Sequence, residues 1–234
     1  MFPDDTQRQA SHEAIYNALY VMPRGSLKKA LIACLRQGNG KRRPRSRGKD
    51  RRGQIPDLVS IHLRPPEIEH RLMPGHWEGE LIMGANNRSA VGTLVERTTR
   101  LVLLAKLDGT TATAAATGFS DKLNEVPRSL RLSMTYDQGR EMVKHAEITQ
   151  RTGTAIYFAD PHSPWQRGSN ENTNGLLRQY LPKGTDLSVY SQDELDAIAD
   201  SLNTRPRKTL DWRTPLEVYA DVLKKSVAGS DTLQ

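Results

Sequence analysis

Three closely spaced apolar segments constrain the fold of this chain more than any other feature of its sequence. The segments are HWEGELIM, SAVGTLVE and RLVLLAKL, and only the polar stretches GANNR and RTT separate them. Each segment has the length and the aliphatic content of a β-strand. Turns this short join antiparallel neighbours. The middle of the chain is therefore predicted to form a three-stranded antiparallel sheet.

Alternating helix and strand patterns follow these three strands. A helical pattern covers 113–123, LRLSMTYD predicts a strand, REMVKHAEITQRTG predicts a helix that ends on Gly153, and TAIYF predicts a further strand. Ser169 is expected to cap a helix through NENTNGLLRQYL, and capping-box patterns (SQDE and TPLE) open two more helices. The order β-β-β-α-β-α-β predicts an α/β protein whose mixed sheet is flanked by helices, which is the order of the ribonuclease-H-like fold.

A strongly basic segment divides the chain. In GNGKRRPRSRGKDRRG, eight lysines and arginines accompany a single acid, Asp50, so this stretch cannot form a core and is predicted to be a flexible linker. Before it, SHEAIYNALY and SLKKALIACL predict two short helices. We therefore expect a helical segment over 1–37, the basic linker over 38–57, a catalytic domain over 58–225 and a disordered tail over 226–234.

Composition limits the classes of protein that this chain can belong to. The formal charge of +7 and the pI of about 9.6 favour a polyanionic partner such as nucleic acid, although a soluble basic protein would have the same charge. The single cysteine, Cys34, excludes an intrachain disulfide and is expected to lie in a core. The longest aliphatic run, 101–105, is too short to cross a membrane. These features predict a soluble, cytoplasmic protein.

Three acidic residues occupy positions at which the predicted elements could bring them together. Glu80 lies in the first strand, on the same face as Glu78, Asp137 ends the fourth strand, and Glu171 is near the start of a helix. If the three converge, they form an all-oxygen site suited to Mg²⁺ or Mn²⁺. Two such ions support in-line cleavage of a phosphodiester. The alternative is that these acids form turns or interact with helix dipoles.

The segments around these acids resemble the catalytic blocks of a known family. HWEGELI, TYDQGRE and PWQRGSNENTNGLLRQYLPKGTDL are similar to the three blocks of the insertion-sequence-thirty family of bacterial DDE transposases, within the retroviral-integrase-like superfamily. The resemblance implies a ribonuclease-H-like integrase domain in which Glu80, Asp137 and Glu171 are the catalytic acids and hold Mg²⁺ or Mn²⁺, as two ions. It also implies cleavage and strand transfer of insertion-sequence ends on double-stranded DNA by a homo-oligomer associated with the nucleoid.

The sequence departs from the family pattern in two places. The family reads HWEGD where this chain has Glu80, and the additional methylene moves the carboxylate by roughly 1 Å, a shift that can cost on the order of 10²-fold in rate. The family also carries a helix-turn-helix region before the segment that opens this chain, and most of that region is expected to be absent. The alternative prediction is a truncated or impaired transposase that binds DNA as a competitor or regulator. A ribonuclease-H-like nuclease without strand transfer is a third reading.

Basic residues near and before the acids are predicted to contact DNA. Arg178 lies seven positions after Glu171, on the same face of the predicted helix, and Lys183 follows that helix. Both are predicted phosphate contacts, with a solvated basic face as the alternative. The linker is expected to bind the DNA backbone without sequence specificity through Lys41, Arg42, Arg43, Arg45 and Arg47.

Other conspicuous side chains near the acids are given structural interpretations. Trp165 is expected to pack and anchor its loop, with base stacking as the alternative. His76 and His162 are interpreted as structural, because a metal-bound water needs no histidine base. Asn170 and Asn172 are expected either to orient the third acid or to cap its helix.

Overall fold

The computed structural model describes residues 12–33, 55–161 and 163–230. These residues belong to two compact units, the first ending at Arg52 and the second beginning at Gly53. The linker residues proposed to bind DNA, together with Cys34 and His162, lie outside the described residues.

The first unit consists of two short helices that contact each other, α1 (His12–Val21) and α2 (Ser26–Ala33). They are the helices that the sequence predicts at these positions. Lys28 of α2 joins them, because its Nζ donates to the carbonyl oxygens of Tyr20 at 2.9 Å and Met22 at 2.8 Å. This cation satisfies carbonyl groups that the end of α1 leaves without a helical partner.

The second unit is built on a five-stranded mixed sheet. Its strands are β1 (His76–Met83), β2 (Ala90–Glu96), β3 (Val102–Lys106), β4 (Ser133–Tyr136) and β5 (Ala155–Phe158). The spatial order is β3-β2-β1-β4-β5, in which β1, β2 and β3 are antiparallel neighbours while β4 runs parallel to both β1 and β5. The predicted antiparallel meander and the α/β class with a ribonuclease-H-like mixed sheet are confirmed.

Helices cover both faces of this sheet. The helices are α3 (Ala112–Asn124), α4 (His145–Thr152), α5 (Gly168–Leu177), α6 (Gln192–Asn203) and α7 (Pro215–Ser230). One core, which contains Trp77, Phe119 and Tyr136, lies between the sheet and α3 and α4. The other core, which contains Ile82 and Leu177, lies between the sheet and α5 and α6. No helix in the described part of the chain is long and apolar enough to span a membrane.

The strand β1 is fixed tightly against the α3 side of the sheet. Trp77 is fully buried, and its Nε1 donates to the carbonyl oxygen of Leu130 at 2.8 Å. A Cβ at Gly79 would lie 2.9 Å from Sδ of Met134 and 2.9 Å from Cδ2 of Tyr136, closer than real Cβ contacts. Because side chains alternate across a strand, Glu78 and Glu80 project from the opposite face, toward α5.

Several helix ends follow local sequence signals, but the start of α5 does not. The capping box at Ser191 is present, Thr214 and Glu217 exchange the two hydrogen bonds of a second one, and α4 ends on Gly153 in the left-handed conformation. The prediction that Ser169 caps α5 is wrong. The helix begins at Gly168, so Ser169 lies inside its first turn, and no side chain at the N-cap position binds the free amides.

Candidate active site

Glu78 takes the place of the missing local cap of α5. Its Oε2 accepts a hydrogen bond of 2.9 Å from the backbone N–H of Asn170, in the first turn of the helix. Its Oε1 lies 3.2 Å from Nη1 of Arg97, and both side chains are buried. A carboxylate on β1 therefore satisfies a free amide at the start of α5 and holds that helix against the sheet. The role of Glu78 is to position the helix that carries Glu171.

Glu80 lies two positions further along β1 and faces the middle of α5. Its Oε2 accepts a hydrogen bond of 3.0 Å from Nδ2 of Asn174, one turn after Glu171. The Oδ1 atom of Asn174 is buried and has no hydrogen-bond partner among the described residues. The amide of Asn174 thus fixes one carboxylate oxygen of the first acid. No local sequence signal singles out Asn174, because its partner Glu80 lies 94 positions away in the chain.

Asp137 directly follows the last residue of β4, as predicted. Its Oδ1 accepts a hydrogen bond of 3.1 Å from the backbone N–H of Gly139, which closes a turn two residues long. The other carboxylate oxygen, Oδ2, and the carboxylate of Glu80 both lie close to a single cation.

That cation is the guanidinium group of Arg167. Nη1 lies 3.5 Å from Oε2 of Glu80, and Nη2 lies 3.4 Å from Oδ2 of Asp137. Nη1 also donates to the carbonyl oxygen of Gly79 at 3.3 Å. The side chain is only 12% exposed, so the positive charge is enclosed between the two acids. Sequence reasoning missed Arg167 because it treated PWQRGSN as a connection; the only signal was its place within the third block.

Two further acids, Glu171 and Glu141, lie within electrostatic reach of this pair. Burial raises the pKa of Glu80, the positive charge of Arg167 opposes that rise, and the negative charges of Asp137 and Glu171 add to it. Glu171, exposed in the first turn of α5, is therefore within electrostatic reach of the first acid. Glu141 is a fourth nearby acid. Its pKa is raised by burial and also by Asp137, and its Oε1 accepts a hydrogen bond of 3.2 Å from the hydroxyl of Tyr136.

The oxygen atoms around Arg167 are of the kind that a hard divalent cation prefers. Within residues 12–33, 55–161 and 163–230, no group of three or more histidine, cysteine, aspartate or glutamate side chains is already arranged to hold a metal ion. Glu80 and Asp137 nevertheless present carboxylate oxygens on two sides of one cation, and hard oxygen donors are those that Mg²⁺ and Mn²⁺ prefer. A divalent ion that used these oxygens would take the place of the guanidinium group.

The predicted DNA contacts near α5 lie at its carboxyl end. Nη1 and Nη2 of Arg178 each donate to the carbonyl oxygen of Met83 at 3.2 Å, and Nη1 also donates to that of Leu181 at 3.3 Å. These bonds tie the end of α5 to the end of β1, so Arg178 has a structural role in addition to its predicted phosphate contact. Lys183 is exposed beyond the helix.

His76 has the structural environment that the sequence predicts, whereas Trp165 does not. His76 is buried, its Nδ1 lies 2.8 Å from Oγ of Ser133, and burial, assisted by Arg97 and Arg64, lowers its pKa to about 4, which agrees with a structural role. The expectation that Trp165 packs is wrong, because its side chain is 73% exposed.

The asparagines that flank Glu171 differ from each other. Asn170 is buried, and its Oδ1 accepts a hydrogen bond of 3.2 Å from Oγ1 of Thr93 on β2. It lies inside the helix rather than at its cap, so its side chain ties α5 to the sheet. Asn172 is exposed on the outer side of the same turn.

The chain is similar to an integrase family model and to curated transposases of insertion sequences. A family model described as "Integrase core domain" matches residues 70–164. The "Transposase for insertion sequence element IS1086" of Cupriavidus metallidurans is 68% identical over 222 residues, which cover 95% of this chain and 66% of that protein. The "Transposase InsI for insertion sequence element IS30A" of Escherichia coli is 42% identical over 233 residues, which cover 98% of this chain and 59% of that protein.

A third curated relative and one solved structure extend the comparison. The "Transposase for insertion sequence element IS4351" of Bacteroides fragilis is 39% identical over 220 residues, which cover 92% of this chain and 65% of that protein. The chain thus spans about three fifths to two thirds of the length of these relatives. A chain in the simian T-cell lymphotropic virus intasome in complex with PP2A regulatory subunit B56 gamma matches with a TM-score of 0.51 at 16% identity, covering 62% of this chain and 54% of that one. This likeness shows the fold alone.

Proposed function

Since this chain belongs to the IS30 family of insertion-sequence transposases, we propose that it catalyses metal-dependent cleavage of insertion-sequence ends and their transfer to target DNA. The observation that supports this most directly is the placement of Glu80, on β1, and Asp137, directly after β4, on two sides of one cation. The third acid, Glu171, stands on the helix that faces them and influences the charge of Glu80.

In this proposal, Glu80, Asp137 and Glu171 hold Mg²⁺ or Mn²⁺, two ions in the full site. Divalent ions at this place supply Lewis-acid stabilisation of the attacking and leaving oxygens of a phosphodiester. The chain itself supplies position. Glu78 fixes the start of α5 to β1, and Asn174 fixes one oxygen of Glu80, so the helix and strand that carry two of the acids are held in register.

DNA is the proposed partner, and basic groups at two places are proposed to bind its phosphates. Arg178 and Lys183 lie at the carboxyl end of α5. The linker contributes Lys41, Arg42, Arg43, Arg45 and Arg47. Such contacts position a duplex without reading its sequence. Because two ends must be processed together, we propose a homo-oligomer assembled on DNA.

Glu80 supports a second candidate function. A glutamate in place of the family's aspartate reaches Arg167 and Asn174, so its carboxylate lies close to α5 rather than to the strand. If the ions require a carboxylate nearer to β1, the chain would bind DNA without cutting it and would act as a competitor of an intact transposase.

The deciding experiment follows strand cleavage and strand transfer by the purified chain. The substrate is duplex DNA that carries the terminal inverted repeats of the chain's own element, with Mg²⁺, with Mn²⁺ or with a chelator. Asp137→Asn and Glu171→Gln should abolish metal-dependent products, whereas Asp108→Asn, at an exposed aspartate after β3, should not. Full activity of Asp137→Asn would refute the proposal. An inactive wild-type chain that still binds the DNA tightly would favour the competitor.

A further inference from the structure

A cationic cleft beside the start of α5 has no role in the reaction as proposed so far. Its first part is a cavity of about 510 Å³, lined by arginine side chains and by the indole of Trp165. Its second part is a cavity of about 470 Å³ along the first turn of α5. Arg71 lines both cavities, so the two adjoin. The arginines of this cleft are Arg64, Arg71, Arg97, Arg100 and Arg207.

Positive charge dominates the cleft. Glu69 is the carboxylate among its described lining residues, and the buried Glu78 behind it is paired with Arg97. Burial lowers the pKa of Arg97 to about 10, and Arg64, Arg71 and Arg100 also act to lower it. The guanidinium groups are therefore close enough to repel one another. An anionic ligand would relieve that repulsion.

Two arginines of the cleft, Arg71 and Arg100, have unusual backbone conformations. Arg71 has a φ of 55° and Arg100 has a φ of 63°, in the left-handed region that favours glycine or asparagine. Arg100 stands in the short turn between β2 and β3, where glycine would fit without strain. Both residues thus place a cation beside the cleft at a conformational cost, and Arg100 also donates a hydrogen bond to Oγ of Ser169 in the first turn of α5.

Trp165 stands exposed at the mouth of the cleft on a fixed turn. The neighbouring Gln166 accepts a hydrogen bond of 2.8 Å from the backbone N–H of Asp160 through Oε1, and donates one of 2.9 Å to Oδ2 of Asp160 through Nε2. The same Oδ2 lies 2.8 Å from Nε2 of His62. These bonds anchor the turn without help from the indole. The aromatic face is therefore available for a ligand.

The combination of an exposed aromatic face and several guanidinium groups matches one unit of a nucleic acid strand. An indole stacks on the face of a base, and guanidinium groups bind the phosphates on either side. A base inside a duplex has both faces covered by its neighbours, so only an unpaired or extruded base can stack on a side chain. The first cavity lies within the size range of small-ligand sites.

We propose that this cleft binds an unpaired nucleotide of the DNA strand that leads to the catalytic acids. Trp165 stacks on its base, and Arg71 and Arg100 bind the adjacent phosphates. The proposal rests on the proposed function in one respect, namely that DNA is the substrate. It adds that the duplex must open locally beside Arg167, because Trp165 is only two residues before it.

Stacking is tested with a single-stranded oligonucleotide of about 10 nucleotides that carries one 2-aminopurine, whose fluorescence falls when it stacks. The full chain should quench this signal. Trp165→Ala should remove the quenching and weaken single-strand binding by on the order of tenfold, while Trp165→Phe should keep most of both. Trp212→Ala is the matched control, since Trp212 is 70% exposed and does not line the cleft. Equal quenching by Trp165→Ala and the wild type would overturn the proposal.

The phosphate contacts are tested by the salt dependence of the same binding. The logarithm of the binding constant falls linearly with the logarithm of the salt concentration. Arg71→Gln should make this slope less steep by about 0.7, the value for one phosphate contact on a single strand. Arg128→Gln, at an exposed arginine after α3 on the other side of the sheet, should leave the slope unchanged. An unchanged slope for Arg71→Gln would count against the cleft. Polyglutamate that binds as tightly and is equally sensitive to Trp165→Ala would show that the ligand is an acidic peptide instead.

Both measurements are made with a chelator and repeated in the Asp137→Asn protein, so they do not depend on cleavage. If the protein cleaves insertion-sequence ends but Trp165→Ala has no effect on quenching, only the proposal for the cleft is refuted. If the wild type does not cleave DNA but Trp165→Ala removes the quenching, the proposal for the cleft stands and the proposed catalysis is refuted.

Discussion

Arg167→Gln should strengthen the binding of Mn²⁺ to the candidate active site, because the guanidinium group and a divalent ion require the same oxygens. Nη1 lies 3.5 Å from Oε2 of Glu80, and Nη2 lies 3.4 Å from Oδ2 of Asp137. Both distances are longer than the roughly 2.7–2.9 Å of close charge-assisted hydrogen bonds. The arginine therefore holds the acids weakly enough to be displaced.

The size of the effect follows from these distances and from the exposure of the acids. At an effective dielectric constant of about 20, unit charges at this separation attract by roughly 5 kcal/mol. The side chains of Glu80 and Asp137 are 33% and 44% exposed, so water screens most of that attraction. Partly exposed ion pairs contribute about 0.2–1 kcal/mol each. Removing two such pairs should favour Mn²⁺ by about 0.4–2 kcal/mol, a decrease in Kd of roughly twofold to thirtyfold.

The assay is isothermal titration calorimetry with Mn²⁺ in the absence of DNA. Glutamine keeps the polarity of the arginine but removes the charge, and Arg128→Gln controls for the loss of one arginine charge away from the site. Asp137→Asn should weaken the same binding event, which identifies the site. If Arg167→Gln bound Mn²⁺ with the same Kd as the wild type, or more weakly, the guanidinium would not be competing with the ion and the reasoning would be wrong.

Three further predictions concern Glu78, His76 and Glu80. Glu78→Gln should lower the free energy of unfolding by about 3 kcal/mol in urea denaturation, because it leaves the buried charge of Arg97 unpaired; a loss below about 1 kcal/mol would contradict this. His76 has its folded pKa lowered to about 4, so the folded chain binds fewer protons than the unfolded chain. The contribution of His76 to the free energy of unfolding should be fully present above about pH 6.5. The free energy of unfolding should fall by roughly 3 kcal/mol as the pH drops toward 4. His76→Gln should flatten that slope in denaturation curves. Glu80→Asp should change the rate of strand cleavage by at least about tenfold, and an unchanged rate in gel assays would remove residue 80 from the site.

The parts of the fold that sequence predicted depend on neighbours close in the chain. Short turns fix the antiparallel order of β1, β2 and β3, and alternation along a strand places Glu78 and Glu80 on one face. Gly153 ends α4 because the left-handed conformation suits glycine. The capping boxes of α6 and α7 involve residues only three positions apart.

The parts that sequence did not predict depend on contacts between distant elements. Ser169 is a good capping residue by type, yet the amide that needs a partner is satisfied by Glu78, 92 positions away. The sequence predicts that Trp165 anchors its loop, but Gln166 and Asp160 anchor it through two hydrogen bonds. Arg167 looks like one of many basic residues until β1, β4 and α5 are assembled around it.

The glutamate at position 80 shows why sequence alone could not decide its effect. A displacement of roughly 1 Å is expected if β1 keeps its place, and Gly79 on that strand is packed closely against Met134 and Tyr136. The additional methylene is therefore accommodated on the side of α5, where Asn174 holds the carboxylate. Glu80→Asp withdraws the carboxylate from Asn174. A faster reaction in that variant would mean that the position of the oxygen limits the rate, whereas a slower one would mean that the hydrogen bond to α5 has become part of how this chain holds its first acid.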